Sequence, residues 1–229
     1  MCVSSAAFAA IVTFTDRVAF TDATEPLLSE DFEGFDQDTG FASIAPEITD
    51  FSLSVTKNSP DLVGSGFNKI ETQPYPFSST SPANQNTIDG SSYAVVGLED
   101  DGSNLGDVFS VLFDYDVFAF GADFAKLNDN DITRSRFDFL DADGNNVGGF
   151  VPDTQVNGSV RFFGFLSDQA FRTITVTAIS GTTDGEGFGM DNLLYSAEPS
   201  EIPLPASLPL LAAGIAAFGF LRRSKAPRA

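Results

Sequence analysis

The stretch FSVLFDYDVFAFGADF, residues 109–124, decides the fold class. Its apolar residues occupy alternate positions in two successive groups, Phe109 with Val111 and Phe113, then Phe118 with Phe120, Ala122 and Phe124. Successive side chains of a β-strand point to opposite faces, so an alternation of period two indicates a strand with one buried face. The stretch therefore predicts two amphipathic strands with phenylalanine as the main core residue.

Similar segments recur on both sides of this stretch. They stand at residues 11–15, 28–32, 51–55, 93–98, 136–139, 147–151, 160–166, 173–178 and 188–195. Residues 141–144, Asp-Ala-Asp-Gly, form a hairpin turn signal, and Asp16 is placed to cap one helical turn at residues 17–20. About ten strands with short turns and no long helix predict an all-β domain, an antiparallel β-sandwich with the jelly roll as the favoured arrangement. The 24 Phe residues suit the space between two sheets.

The composition excludes several classes of function. The chain has 229 residues, with 32 acidic against 12 basic side chains. This acid excess argues against nucleic acid as a partner, because phosphates demand a basic face, and it suits solubility outside the cell or affinity for divalent cations. There is no His, and Cys2 is the only Cys. Ser-His-Asp and Cys-His catalysis and ordinary zinc sites are therefore excluded.

The first nine residues carry a processing signal. Residues 7–9 read Ala-Phe-Ala, which is a small-residue cleavage pattern, but a basic start and a full apolar segment are missing before it. We interpret residues 1–9 as the remnant of a signal peptide whose true start lies upstream. The alternative is that Met1 is genuine and that export uses a poor signal. The sandwich domain then covers residues 10–197.

The C-terminal segment has three parts. Residues 198–207 form a linker with the motif Ile202, Pro203, Leu204, Pro205 and Ala206. Residues 208–221 are apolar and uncharged, and the tail 222–229 contains the basic residues Arg222, Arg223 and Lys225. We predict a single transmembrane helix at 208–221 with its basic end in the cytoplasm. This helix of about 21 Å is short for a bilayer core of about 30 Å, and a buried core helix is the alternative.

This three-part segment resembles a PEP-CTERM sorting signal, and most closely its VPLPA variety. Ile202 replaces the usual Val, and the next four residues match in place. The resemblance implies an exported protein of a bacterium with an outer membrane and an exopolysaccharide system. An exosortase-type membrane protease would be its partner. The protein would be tethered to the inner membrane through the helix, and then reach the cell surface or the extracellular space. A sortase signal is the main rival, but Ser207 and Leu208 fail its last two positions.

Two acidic motifs stand at opposite ends of the domain. Phe32-Glu33 lies near its start, and Met190-Asp191-Asn192 lies near its end. The first and last strands of an antiparallel sandwich often pair, and adjacent carboxylates repel each other unless a cation joins them. Calcium takes oxygen ligands, including backbone carbonyls. We therefore predict a structural calcium site formed by Glu33, Asp191 and the carbonyl of Asp31. The alternative is that Asp191 and Asn192 only cap and turn the last strand.

The same two motifs resemble jelly-roll carbohydrate-binding modules and the MAM domains of animal surface proteins. These domains open with Phe-Glu and close with Ile/Met-Asp-Asp/Asn before a last apolar strand. In the binding modules the Glu and the Asp are calcium ligands, which implies that role for Glu33 and Asp191. The resemblance rests on these two short motifs.

Other candidate positions are less specific. Residues 58–92 are rich in Pro, Ser, Asn and Gly and predict a long loop with at most one strand, around residues 63–70, and Tyr75 and Phe77 in this loop are possible ligand contacts. A flexible surface loop is the alternative. Residues 141–146 share the first positions of a calcium loop but lack its later Gly and Glu, so a turn is favoured. Asp123 is interpreted as a solvated loop acid.

These observations predict an exported extracellular-matrix or cell-surface protein without catalytic activity. A polysaccharide-binding module, with exopolysaccharide as its partner, is the first alternative. A carbohydrate-active enzyme is the second, since a glycosidase needs only two suitably spaced carboxylates. The chain has no Trp and four Tyr, and the scarcity of large aromatic platforms disfavours both alternatives.

Overall fold

The computed structural model of the chain describes residues 10–24, 26–41, 46–56, 67–72, 88, 92–98, 107–127, 133–152, 160–180 and 186–198. These ranges form one helix, α1 (Arg17–Ala23), and twelve strands. The strands are β1 (Ile11–Phe14), β2 (Leu28–Glu30), β3 (Thr39–Gly40), β4 (Glu47–Ile48), β5 (Phe51–Thr56), β6 (Lys69–Glu71), β7 (Tyr93–Leu98), β8 (Val108–Ala125), β9 (Thr133–Leu140), β10 (Asn146–Phe150), β11 (Val160–Ser180) and β12 (Glu186–Ser196). Every strand pairing is antiparallel.

The two longest strands, β8 and β11, organise the fold. They pair with each other along most of their length, and the register shifts between Leu166 and Phe171 and again before Thr173. The first half of β8 also pairs with β5, whereas its second half pairs with β12. The prediction of two separate strands within residues 109–124 was wrong. Asp114 and Asp116, which interrupt the apolar alternation, lie within one continuous strand rather than in a turn.

The halves of β8 and β11 belong to different layers. The first layer contains β4, β5, the first half of β8, the second half of β11, β9 and β10. The second layer contains β1, the first half of β11, the second half of β8, β12, β7, β6 and β3, with β2 added beside β12. The predicted all-β antiparallel sandwich is confirmed.

Aromatic rings fill the space between the layers. Phe139 of the first layer stacks on Phe165 of the second, with 4.0 Å between ring centroids. Phe113 and Tyr195 also meet between the layers, in a tilted arrangement with 5.4 Å between ring centroids. Buried aromatic pairs contribute beyond the area that they bury, because ring edges and faces carry opposite partial charge. The phenylalanine content is therefore explained by this interior.

Helix α1 packs on the outer side of the second layer. Its N-cap is Asp16, whose carboxylate accepts a hydrogen bond of 2.7 Å from the backbone of Ala19, as predicted. Phe20 is fully buried against Gly121 and Gly164, which are cross-strand partners. A Cβ atom on Gly164 would lie 2.9 Å from the Phe20 ring, so the two glycines leave the space that the ring occupies. The buried ring of Phe20 thereby holds the first turn of α1 against the second layer.

The hairpin turn at residues 141–145 forms as predicted between β9 and β10. Asp141 Oδ1 accepts hydrogen bonds from the backbone N–H groups of Asp143 and Asn145, at 2.9 and 2.8 Å. This pattern is that of an Asx turn, in which the carboxylate satisfies its own loop. The turn interpretation, rather than the calcium-loop one, accounts for these contacts.

Several predictions concern residues outside the described ranges. They are the signal-peptide remnant 1–9, Tyr75 and Phe77, the motif Ile202–Ala206, the helix 208–221 and the basic residues Arg222, Arg223 and Lys225. Within the described part of the chain, no helix has the length and apolar character needed to cross a bilayer.

Candidate metal centre

Asp191 is the centre of the candidate site. It follows Met190, a core residue of β12, and is itself 0% exposed. Adjacent strand residues point to opposite faces, so Asp191 lies on the outer side of the second layer, where α1 packs. In the antiparallel register of β12 and β8, Asp191 is directly opposite Asp123. Like charges in that relation destabilise a sheet.

A distorted backbone gives Asp191 its position. Asn192 has a φ of 49°, in the left-handed region that Asn tolerates better than most residues. The pairing of β12 with β8 is irregular between Asp191 and Leu194. The bulge lets Asp191 point outward while Leu193, two residues later, is buried in the core. Without the bulge, the two side chains would share one face.

Asp123 is neutralised by its neighbours. Its Oδ2 lies 2.9 Å from Arg17 Nη2 and accepts a hydrogen bond of 3.2 Å from Asn192 Nδ2. Arg17 Nη2 also donates to the carbonyl oxygen of Asn192 at 2.9 Å, and the guanidinium carbon lies 4.7 Å from the centroid of the Phe162 ring. Asp123 is therefore a structural acid of β8, and its interpretation as a solvated loop acid was wrong. Its partner Arg17 is more than 100 positions away, which no local sequence pattern reveals.

Asp191 lacks such neutralisation. Its Oδ1 accepts a hydrogen bond of 2.6 Å from the backbone N–H of Asn192, whereas its buried Oδ2 has no hydrogen-bond partner. Burial raises the pKa of Asp191 to about 8, and the charges of Asp123, Glu33 and Asp31 act in the same direction against the Asn192 hydrogen bond. A buried acid in this setting requires either a proton or a cation.

The predicted ligands Asp31 and Glu33 come from the opposite end of the sequence. They follow β2, whose Leu28–Glu30 segment pairs with Leu193–Tyr195 of β12. Asp31 Oδ1 accepts from the backbone of Glu33 at 3.1 Å, and Glu33 Oε1 accepts from the backbone of Ser92 at 3.0 Å. Both carboxylates are exposed at the surface, yet close enough to influence Asp191 electrostatically. The pairing of β2 with β12 thus places Asp31 and Glu33 within electrostatic range of Asp191, although β1, the first strand, pairs with β11 instead.

The fit of these residues to calcium rests on Asp191. Among the residues that the structure describes, no three acidic side chains are grouped so that they could hold a metal by themselves. Carbonyl oxygens and water would have to complete a calcium shell, as they do in many oxygen-ligand sites. The unpaired Asp191 Oδ2, in a negatively charged environment, is the feature that a cation would satisfy.

A second polar cluster, which is partly buried, lies near the C-terminal end of β12. Tyr195 donates from its hydroxyl to Asp50 Oδ2 at 2.7 Å, and Tyr115 also forms a hydrogen bond with Asp50. The carbonyl of Asp50, in the turn between β4 and β5, accepts from the backbone of Asp114 at 3.0 Å. No local sequence pattern indicates this cluster, since its members come from a turn and two separate strands.

Comparisons with known proteins give structural similarities that are weak, including the following two. No protein-family model and no curated protein matches the chain. The enzymatically active domain of tailspike protein 4 from bacteriophage CBA120 has a TM-score of 0.26 and 14% identity, over 75% of this chain and 19% of the tailspike chain. The CBM22-1 xylan-binding domain from Paenibacillus barcinonensis Xyn10C has a TM-score of 0.28 and 9% identity, over 76% of this chain and 95% of that domain. Neither similarity assigns the chain to a family.

Proposed function

We propose that the chain is an exported, non-catalytic protein of the extracellular matrix or the cell surface, with a β-sandwich stabilised by a calcium ion. The observation that carries the calcium part is the buried Asp191, whose Oδ2 has no hydrogen-bond partner. Neighbouring carboxylates disfavour a negative charge at this position, and a bound cation reverses that effect. Calcium is the cation best suited to a site with only oxygen ligands.

Asp191, Glu33 and the carbonyl of Asp31 are the proposed ligands. The bound ion supplies positive charge, which removes the repulsion among these carboxylates. It also connects the end of β2 with β12, two segments about 160 residues apart, and so stabilises the closure of the domain. An ion that binds only the folded state raises the free energy of unfolding in proportion to the logarithm of its concentration.

A non-catalytic role agrees with the chemistry of the described residues. The chain has no His, so nucleophilic catalysis with an imidazole base is absent. The acid with the most strongly raised pKa, Asp191, is fully buried and therefore out of reach of a polymeric substrate. A rigid and acidic sandwich suits display outside the cell.

The calcium proposal is tested by thermal melts of the purified protein in calcium and in a chelator. We expect calcium to raise the melting temperature of the wild type and of Asp143→Ala, a control at an exposed turn acid. The Asp191→Ala variant should show no such increase, because the buried ligand is lost. A wild-type melting temperature that ignores calcium would refute the structural role of the ion.

The export proposal rests on the pattern of residues 202–228 and has its own test. An exosortase-type protease would release the protein from the inner membrane by cleavage near the Pro203–Ser207 segment. Mass spectrometry of protein released into the medium should therefore show a new C-terminus in that segment. Released protein that still ends beyond Arg228 would contradict processing.

A polysaccharide-binding module is the second candidate. It is supported by the closeness of the two segments that carry the resemblance to carbohydrate-binding modules, Phe32-Glu33 and Met190-Asp191-Asn192. We expect purified exopolysaccharide to retain the wild type and the control Leu112→Ala, which alters an exposed apolar side chain of β8. Tyr75→Ala and Phe77→Ala should weaken retention. If the wild type is not retained, this candidate is rejected.

A further inference from the structure

Arg17 holds a defined position at the edge of the proposed calcium site. One nitrogen, Nη2, contacts both Asp123 Oδ2 and the carbonyl oxygen of Asn192, each at 2.9 Å. The guanidinium also lies over the Phe162 ring. Helix α1 is anchored one turn later by the buried Phe20. These contacts fix a positive charge next to the carboxylates rather than leaving it in solvent.

Asp123 is the carboxylate that the strand register places nearest to Asp191. Cβ atoms of directly opposed residues in an antiparallel sheet are about 5 Å apart, a distance that one bound cation can bridge through two carboxylates. Yet Asp123 Oδ2 is already engaged by Arg17 and by Asn192 Nδ2. Asp191 Oδ2, across the strand pair, is buried and has no hydrogen bond. The charge of Asp123 is thus balanced by Arg17, whereas the Oδ2 atom of Asp191 has no such partner.

We infer that Arg17 determines the affinity and charge preference of the proposed calcium site by withholding Asp123 from the bound cation. The inference rests on the proposed function, because it assumes that the ion binds at Asp191. Arg17 opposes a cation in two ways, since it repels the ion directly and occupies a carboxylate that would otherwise be a ligand. Removal of the guanidinium therefore leaves Asp123 Oδ2 with only the 3.2 Å hydrogen bond from Asn192 Nδ2, which a cation can displace, and it makes the site more negative.

Calorimetric titration of the full chain with calcium chloride tests this inference. We expect Arg17→Gln to bind calcium at least about tenfold more tightly than the wild type, because ligand charge tunes calcium affinity. Arg17→Lys retains the charge and should stay close to the wild type. In Arg17→Gln/Asp123→Asn the gain should disappear, which identifies Asp123 as the released ligand. Arg17→Gln should increase the affinity for lanthanum more than the affinity for calcium, since the higher charge of lanthanum interacts more strongly with the more negative site.

The outcomes separate this inference from the calcium proposal itself. If the wild type binds calcium and Arg17→Gln binds it equally or more weakly, the role of Arg17 is overturned while the calcium site stands. If only Arg17→Gln binds calcium, Arg17 blocks the site, and the calcium part of the proposed function fails for the natural protein. If neither binds, both are overturned. Melting curves in a chelator confirm that each variant is folded before titration.

Discussion

Two acids lie at β12 in opposite electrostatic surroundings: Asp191 belongs to the strand, and Asp50 contacts Tyr195, four residues further along it. Asp50 meets Tyr195, and it accepts hydrogen bonds from the hydroxyls of Tyr195 and Tyr115. Asp191 lies beside Asp123, Glu33 and Asp31, and its Oδ2 has no hydrogen bond. The comparison shows that a carboxylate among donors acts as an internal cross-link. A carboxylate among other acids, such as Asp191, has no hydrogen-bond donor or positive charge from the described residues at its Oδ2.

The tyrosines explain why the Asp50 cluster is self-sufficient. Burial raises the pKa of Tyr195 above its ordinary value, and its hydrogen bond to Asp50 acts in the same direction. The raised pKa keeps the phenol protonated, and therefore a hydrogen-bond donor, at neutral pH. This end of β12 should respond to mutation but not to calcium, and the Asp191 end should respond to both.

The largest effect is expected from Asp50→Ala. The substitution leaves the hydroxyl of the buried Tyr195 without its acceptor and removes the charged partner of Tyr115. We expect a loss of roughly 3 kcal/mol in the free energy of unfolding, measured by urea denaturation. The loss should be equal in calcium and in a chelator, and Asp143→Ala should lose far less. If calcium restores the stability of Asp50→Ala, then the Asp50 end of β12 is not independent of the calcium site at Asp191.

Most substitutions of buried residues lower the free energy of unfolding, but Asp191→Asn should raise it at pH 8 when calcium is absent. Burial raises the folded-state pKa of Asp191 to about 8, from the ordinary 3.8. The folded state then holds a proton that the unfolded state has lost, so its stability is highest below about pH 4 and falls as the pH rises to about 8. Asn carries no charge and removes this fall.

This prediction is checked by chemical denaturation in a chelator at several pH values. At pH 8, Asp191→Asn should be more stable than the wild type by roughly 2 kcal/mol. At pH 4 the difference should vanish or change sign. Asp143→Asn, at the exposed hairpin turn, should follow the wild-type profile. Parallel profiles for Asp191→Asn and the wild type would show that Asp191 is not protonated in the folded state.

The features that the sequence predicts correctly depend on local patterns. The period-two alternation gives the strands, Asp16 gives the helix cap, and Asp141 gives the hairpin turn. The nearness of Glu33 to Asp191 was also predictable, because a sandwich tends to pair early strands with late ones. In each case, neighbouring residues or a general rule of topology contain the information.

The features that the sequence conceals depend on register and on distant pairs. The opposition of Asp123 and Asp191 follows from the register of β8 and β12, which a bulge at Asn192 shifts. The contact between Arg17 and Asp123 depends on the position of Phe20 over two glycines. Asp114 and Asp116 have the composition of a turn, but they lie within β8 because a long strand can serve both layers. Such relations arise only when the chain is folded.

Tyr195→Phe tests how much one of the two hydrogen bonds to Asp50 contributes to stability. The change deletes one hydroxyl and keeps the ring that packs on Phe51 and Phe113. We expect a loss of roughly 1.5 kcal/mol, because Asp50 keeps its bond to Tyr115. Tyr115→Phe is the matched variant and should cost less, since Tyr115 is only partly buried and water can replace its hydroxyl. Equal losses, determined from urea denaturation, would mean that burial does not separate the two bonds.

The smallest effect is expected at Asp38, an acid that is paired but largely exposed. Its carboxylate accepts a hydrogen bond of 2.7 Å from Lys69 Nζ, which lowers the pKa of Asp38 to about 2. The depressed pKa means that the pair contributes stability above the ordinary value of 3.8 and loses it as the pH falls toward 2. Solvent screens this pair, so Asp38→Asn should cost only roughly 0.5 kcal/mol at neutral pH.

Salt separates this exposed pair from the partly buried Asp50 cluster. The cost of Asp38→Asn should shrink further in 1 M salt, where the Debye length is about 3 Å. Asp116→Asn, which removes the exposed partner of Arg172, is the matched control and should behave alike. The Asp50→Ala loss, by contrast, should keep its size in salt, because the contact with Tyr195 is a hydrogen bond to a buried phenol. If the Asp38 variant loses as much as Asp50→Ala, then the buried phenol of Tyr195 is not what makes Asp50 important.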